Sequence, residues 1–163
     1  MHIFRAQYFE HPDFTPHFRI FSMCSAGRDT GDLRFEKEAL LRHLSVYLEL
    51  FAEMAGLGYQ FLDMAVGITP LDDAPKYQET ALQVLNQLEE SHPGIRFYVN
   101  TDRKSGRGYY QSFSYNVDAT SREGKTFSLG DGGFTDWTAN LLSNSKERLF
   151  ISALGIELIG NAF

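Results

Sequence analysis

Between Gly130 and Trp137 the chain reads Gly-Asp-Gly-Gly-Phe-Thr-Asp-Trp, and no other stretch restricts the fold as much. Glycine loses more backbone freedom on folding than any other residue. Gly130, Gly132 and Gly133 therefore weaken a strand or helix interior and suit a sharp bend or a close approach. The expected local structure is a strand over Thr126–Leu129, a tight glycine turn, and a short helix through Leu142 capped by Thr135 or Asp136. That arrangement gathers free backbone N–H groups and one carboxylate at a single spot. A plain turn between two elements satisfies the same residues.

The chain has 163 residues, 43% of them hydrophobic, enough for one globular domain with a real core. Fourteen Phe and eight Tyr against one Trp favour a sheet-rich core, because aromatic side chains suit pleated surfaces. The formal charge of -6 argues against broad, nonspecific binding to nucleic acid or anionic membrane and leaves room for a local basic patch. A lone cysteine, Cys24, excludes an intrachain disulfide. Its apolar surroundings point to inert burial, and a reducing, cytoplasmic location is expected. The N-terminus lacks the pattern of a signal peptide, and no apolar run approaches the roughly 20 residues needed to span a bilayer.

In chain order, Ile3–Tyr8 and Phe18–Met23 read as two antiparallel strands joined by a long loop. That region carries His11, Asp13 and His17, without the tight convergent spacing a metal requires, so no metal site is expected. Leu33, Leu40, Leu44, Tyr47, Leu48 and Phe51 mark a long amphipathic helix, with Asp32 as N-cap and Gly56 and Gly58 as its stop. Glu36 and Glu38 fall in its first turns, and its acidic residues read as a solvated face. Tyr59–Val66 reads as a mostly buried strand and Gly67–Pro75 as a loop. Asp72 and Asp73 are placed to complement the next helix, which Pro75 opens and whose face is Tyr77, Ala81, Leu85 and Leu88. Ile95–Val99 is a strand and Asn100–Gly108 a polar loop. Tyr109–Val117 is the longest strand, with a polar row of Tyr110, Ser112, Ser114 and Asn116 that faces either water or a ligand. Glu147–Leu154 is a last strand, and Gly155–Ile159 begins a helix.

The order of these pieces resembles the class II aminoacyl-tRNA synthetase catalytic fold. The likeness is strongest to its histidyl branch, which includes histidyl-tRNA synthetase and the synthetase-like regulatory subunit of ATP phosphoribosyltransferase. Ser105-Gly106-Arg107-Gly108-Tyr109-Tyr110 stands where that family has Arg-Gly-Leu-Asp-Tyr-Tyr. Gly132-Gly133-Phe134-Thr135-Asp136 stands for Gly-Gly-Arg-Tyr-Asp, and Gly155-Ile156-Glu157-Leu158 for the Gly-Leu-Glu-Arg of the third class motif. Phe4-Arg5 with the Phe18–Met23 strand is similar to the second class motif, and the helix after it is similar to one in the alanyl branch. The resemblance implies an α+β fold, an antiparallel β-sheet flanked by helices, over one domain spanning residues 1–163. The first class motif and any anticodon-binding domain would fall outside it.

For the chemistry, the resemblance implies a site that brings an amino-acid carboxylate against the α-phosphate of ATP, with arginines and magnesium neutralising the charge. Arg5 and Arg107 would be the catalytic arginines. Arg5, Gln7, Phe18 and Glu157 would hold ATP, and Tyr109, Tyr110, Ser112, Gly132, Gly133 and Asp136 the amino acid. Departures from the pattern are specific. Leu158 replaces an arginine that clamps distal phosphates, Ser105 replaces the arginine that opens the histidine motif unless a two-residue deletion moves Arg107 into its place, and Gln7 replaces a glutamate. Three readings follow. The favoured one is a degenerate synthetase-like protein that binds an amino acid, histidine by family likeness, or a protein partner, without full aminoacylation activity. The second is an ATP- and magnesium-dependent amino-acid-activating ligase. The third is a structural interaction module with an empty pocket. A homodimer fits an unfinished sheet edge near the N-terminus, no membrane partner is expected, and tRNA is left open.

Overall fold

Apolar residues at three- and four-residue steps make the two long helices. In α1 (Arg34–Gly56), Leu40, Leu44, Tyr47, Leu48 and Phe51 are all at most 1% exposed. In α2 (Pro75–Ser91), Thr80, Ala81, Val84, Leu85 and Leu88 form the buried stripe. The structure, a computed structural model, describes residues 1–4 and 17–163. Pro75 sits in the first turn of α2, and Asp72 Oδ1 accepts the Ala74 N–H at 2.8 Å just ahead of it, as the sequence suggests. Asp32 does not cap α1. Asp32 and Leu33 both take left-handed backbone angles, and among the described residues no side chain caps the helix. Asp29 orders that turn instead, its Oδ1 accepting the Gly31 N–H at 2.8 Å.

Both helices pack against a six-stranded sheet in the order β3-β8-β7-β6-β4-β5. Its strands are β3 (Phe21–Arg28), β4 (Asp63–Pro70), β5 (Arg96–Val99), β6 (Gln111–Thr120), β7 (Thr126–Thr135) and β8 (Glu147–Leu154). Neighbours run antiparallel except β4 and β5, which are parallel and joined through α2. The expectation of an antiparallel platform thus holds for all of the sheet but one edge. A separate antiparallel ladder pairs β1 (His2–Phe4) with β2 (His17–Arg19), but the expected Phe18–Met23 strand breaks at Ile20 and its second part opens β3 of the main sheet. The loop with His11 and Asp13, and with it Arg5 and Gln7, lies outside the described residues. Two short helices, α3 (Trp137–Leu141) and α4 (Ile156–Ala162), follow β7 and β8. Among the described residues no helix is long and apolar enough to cross a membrane.

The glycine stretch is not a turn. It is the middle of β7, paired to β6 on one side and β8 on the other. Larger neighbours use the space that the missing side chains leave. A Cβ at Gly130 would stand 2.5 Å from a Leu154 methyl, and one at Gly132 would stand 2.5 Å from the Tyr115 ring. The same device moves β4 four residues later than the alternation suggests, to Asp63–Pro70. Gly67 lies inside the strand because the side chains of Tyr98 and Asn116 cross over it. Cys24 is exposed on edge strand β3 rather than buried.

Two polar ties hold α1 to the sheet. Glu36, expected on a solvated face, is 2% exposed and accepts Arg148 Nε of β8 at 2.9 Å. His43, also 2% exposed, lies 2.8 Å from Ser25 Oγ of β3 through Nε2 and 2.7 Å from Ser152 Oγ of β8 through Nδ1. Burial, with the Arg42 charge adding to it, pushes the His43 pKa down to about 4.

Candidate functional site

Strand alternation sorts the middle of β7 between the two faces of the sheet. Gly132 points toward α1, against Tyr115 and the Ser152 that hydrogen-bonds Tyr47 of that helix. Its neighbours Asp131 and Gly133 therefore point to the opposite face, away from α1 and α2. Asp131 is the register partner of Asn116 on β6, and Asn116 of Gly67 on β4. Gly133 is the partner of Ser114, and Ser114 of Thr69.

Residues 100–110 fold over this second face and build a cluster on it. Tyr110 sets its ring over Gly133, where a Cβ would lie 2.5 Å from the ring carbons, and its hydroxyl donates to Asp131 Oδ1. Arg103, within the expected polar loop, is 7% exposed. It donates Nη2 to Asp131 Oδ2, Nη1 to the Tyr115 carbonyl at 2.7 Å and Nε to the Ser105 carbonyl at 3.0 Å. Buried away from water, a guanidinium needs such partners. Burial first, and then the hydrogen bond and charge of Asp131, hold the Tyr110 phenol well above its ordinary pKa. Asp131 keeps about half of its side-chain surface open, so it remains able to accept a further donor. Asn100, Asp102, Lys104, Asn116 and Ser128 complete the wall of a cleft of about 300 Å³ beside it. Asn116 is itself fixed, donating to Asp118 at 2.7 Å and accepting from Asn100 at 3.1 Å.

The expected amino-acid residues divide between this cleft and other places. Tyr110 reaches its edge through Asp131, and Gly133 lies buried beneath the Tyr110 ring. Tyr109, half exposed, meets Tyr110 and Trp137 edge to face, with centroids 4.8 and 5.8 Å away. Ser112 and Asp136 line a different hollow of about 690 Å³, with Gln111, Asn140 and Arg148, at the end of the sheet beside α3. Gly132 faces α1. The carboxylate that meets Tyr110 is Asp131, not Asp136. Reading the glycine stretch as a turn hid this, because strand alternation alone places Asp131 and Gly133 on one face. No sequence signal separates Arg103 from the other cations of its loop.

Toward the expected ATP side, Arg107 is exposed and donates Nε to the Arg103 carbonyl at 2.9 Å, closing the loop on itself. Phe18 lies in β2, and Glu157 of α4 accepts the N–H of the adjacent Arg19 at 2.9 Å. Leu158 packs against the core. The described residues thus offer no charged fork at position 158 for phosphates and do not fit ATP there. No group of three or more metal-ligating side chains occurs among them.

Solved structures share this architecture. Histidyl-tRNA synthetase from S. aureus matches with a TM-score of 0.64 at 17% identity, over 90% of this chain and 40% of that one. Histidyl-tRNA synthetase from Nostoc sp. PCC 7120 matches at 0.56 and 12%, over 99% and 52%. The RNA-binding domain of threonyl-tRNA synthetase from Cryptosporidium parvum Iowa II also matches at 0.56 and 12%, over 90% and 37%. The chain has a class II synthetase-like fold. It spans about half or less of the length of each of these synthetase chains. No family model and no curated protein matches it in sequence. The synthetase-like sheet thus carries the cluster of Tyr110, Asp131 and Arg103 on the face its two long helices leave uncovered.

Proposed function

We propose that this synthetase-like domain binds a free amino acid in the cleft beside Asp131 and does not carry out full aminoacylation. The observation that carries the reading is the Tyr110–Asp131–Arg103 cluster seated over Gly133. Asp131 offers an open carboxylate for an ammonium group. Arg103 and Tyr110 hold that carboxylate in place, and Gly133 gives the Tyr110 ring the room to lie against the sheet beside it. Leu158 and the occupied Glu157 speak against a charged clamp for ATP, so ATP with magnesium is the competing ligand rather than the expected one.

Thermal denaturation of the chain with each amino acid, and separately with ATP and magnesium, tests this, because a ligand that binds only the folded state raises its stability. An amino acid should raise the transition temperature in wild type and in Asp136→Asn but not in Asp131→Asn. Stabilisation by ATP and magnesium alone would replace the reading with an ATP-dependent ligase. Silence across both panels would leave a structural module. Loss in Asp136→Asn with retention in Asp131→Asn would move the site to the hollow beside α3.

A further inference from the structure

Two cations line the cleft beside Asp131, and one of them is already engaged. All three guanidinium nitrogens of Arg103 have partners: Nη2 donates to Asp131, Nη1 to the Tyr115 carbonyl and Nε to the Ser105 carbonyl. Lys104, the next residue, is exposed at the same cleft, and its ammonium makes no ion pair or hydrogen bond among the described residues. The backbone that carries it is tied on both sides. Arg103 fastens it to the sheet, and Arg107 Nε closes on the Arg103 carbonyl at 2.9 Å. The charges on the wall balance, Asp102 and Asp131 against Arg103 and Lys104. A wall with both signs and no net charge is complementary to a ligand that also carries both.

Resting on the amino-acid reading above, we infer that Lys104 holds the α-carboxylate of the ligand, so that the cleft takes free amino acids and discriminates against those whose carboxyl group is esterified or built into a peptide. The ligand's ammonium lies on the open side of Asp131, and its carboxylate turns to the rim where Lys104 stands. A flexible four-carbon stem with three rotatable donors lets the lysine charge follow that carboxylate without a fixed fork geometry. Arg103 cannot take this part. Swinging it toward a ligand would leave Asp131 and the buried Tyr115 carbonyl without their donor. Asp102 stands on the same wall and forms no ion pair with Lys104, so the ammonium is available in the free protein.

Calorimetric titration with each amino acid beside its α-methyl ester tests this, because the ester keeps the ammonium and the side chain and loses the negative charge. At about pH 6 the α-amino group stays mostly protonated. An amino acid that stabilises the wild type should bind at least about threefold tighter than its ester, the size expected of an ion pair at the edge of a site. Lys104→Met should bring the two together by weakening the amino acid and leaving the ester unchanged, and Lys104→Arg should restore the preference. Without ligand, both variants should melt within about 2 °C of wild type, because the side chain is exposed. Equal binding of acid and ester by the wild type overturns the assignment while leaving capture of the ammonium by Asp131 in place. A preference undiminished in Lys104→Met also overturns it, as does an equal weakening of both ligands, which would give Lys104 a part in shaping the cleft instead. A panel in which neither amino acids nor esters bind removes the site and this assignment together.

Discussion

Arg148 reaches from β8 to donate Nε to Glu36 in the first turn of α1, 2.9 Å away, and its Nη2 donates to Asp29 at 2.7 Å. The Glu36 side chain is almost wholly buried, whereas Arg148 keeps about a quarter of its surface in water. Removing the cation strands a buried carboxylate, and breaking such pairs costs several kcal/mol although making them gains little. Arg148→Met should therefore lower unfolding stability by about 3 kcal/mol, and adding Glu36→Gln should recover part of the loss. Urea denaturation measures both. A change within about 0.5 kcal/mol, the size expected at an ordinary surface position, would mean that the pair is solvated.

The glycines of the sheet should differ in what they tolerate. A Cβ at Gly132 would stand 2.8 Å from the Ile151 carbonyl oxygen, which belongs to the backbone and cannot swing aside. A Cβ at Gly67 would meet only side-chain atoms, the outer end of the Tyr98 ring and the Asn116 Oδ1 that accepts from Asn100, which can give at the cost of that hydrogen bond. Gly132→Ala is expected to cost at least about 1–3 kcal/mol, the range for an overpacked interior, and Gly67→Ala less than about 1 kcal/mol. Denaturation midpoints of the two variants give the comparison, and the reverse order would contradict the packing described.

His43 predicts a pH dependence with a definite sign. Its pKa is pushed down to about 4 in the folded protein, so between there and its ordinary value near 6.5 the unfolded chain binds more protons than the folded one. Its stabilising contribution is full above pH 6.5 and is lost as the pH falls through that window to about 4, with a total of roughly 3 kcal/mol. Unfolding free energies of wild type and His43→Gln at several pH values between those limits should differ in slope over that window. Parallel curves would mean that the imidazole is not held neutral by its surroundings.

Periodicity made α1 and α2 legible, because a buried stripe at helical spacing has few other solutions. Pro75 and Asp72 fixed the start of the second. The strand order could not be read, since pairing depends on contacts distant in sequence and the parallel edge is made by the passage through α2. Local propensity misread Gly130–Gly133, where tertiary neighbours fill the space that glycine leaves. It misread Glu36 for the same reason: the partner that buries it is more than a hundred residues away. Of the cluster beside the cleft, Tyr110 and Gly133 were visible from the synthetase-like motifs. Asp131 was hidden by the turn reading, and Arg103 by lying in a loop whose burial no local pattern encodes.

The alternation of glycine and aspartate along β7 has a consequence for how the sheet is assembled. Sliding the strand by one residue against β6 and β8 would turn Asp131 inward among Tyr115 and Ser152 and carry Gly132 to the outer face. Among the described residues no ion-pair partner for a carboxylate is seen there, and the ring of Tyr115 leaves no space for it. The stretch thus acts as a key cut for one lock: a one-residue slip of β7 between its neighbours is opposed by charge and by volume together.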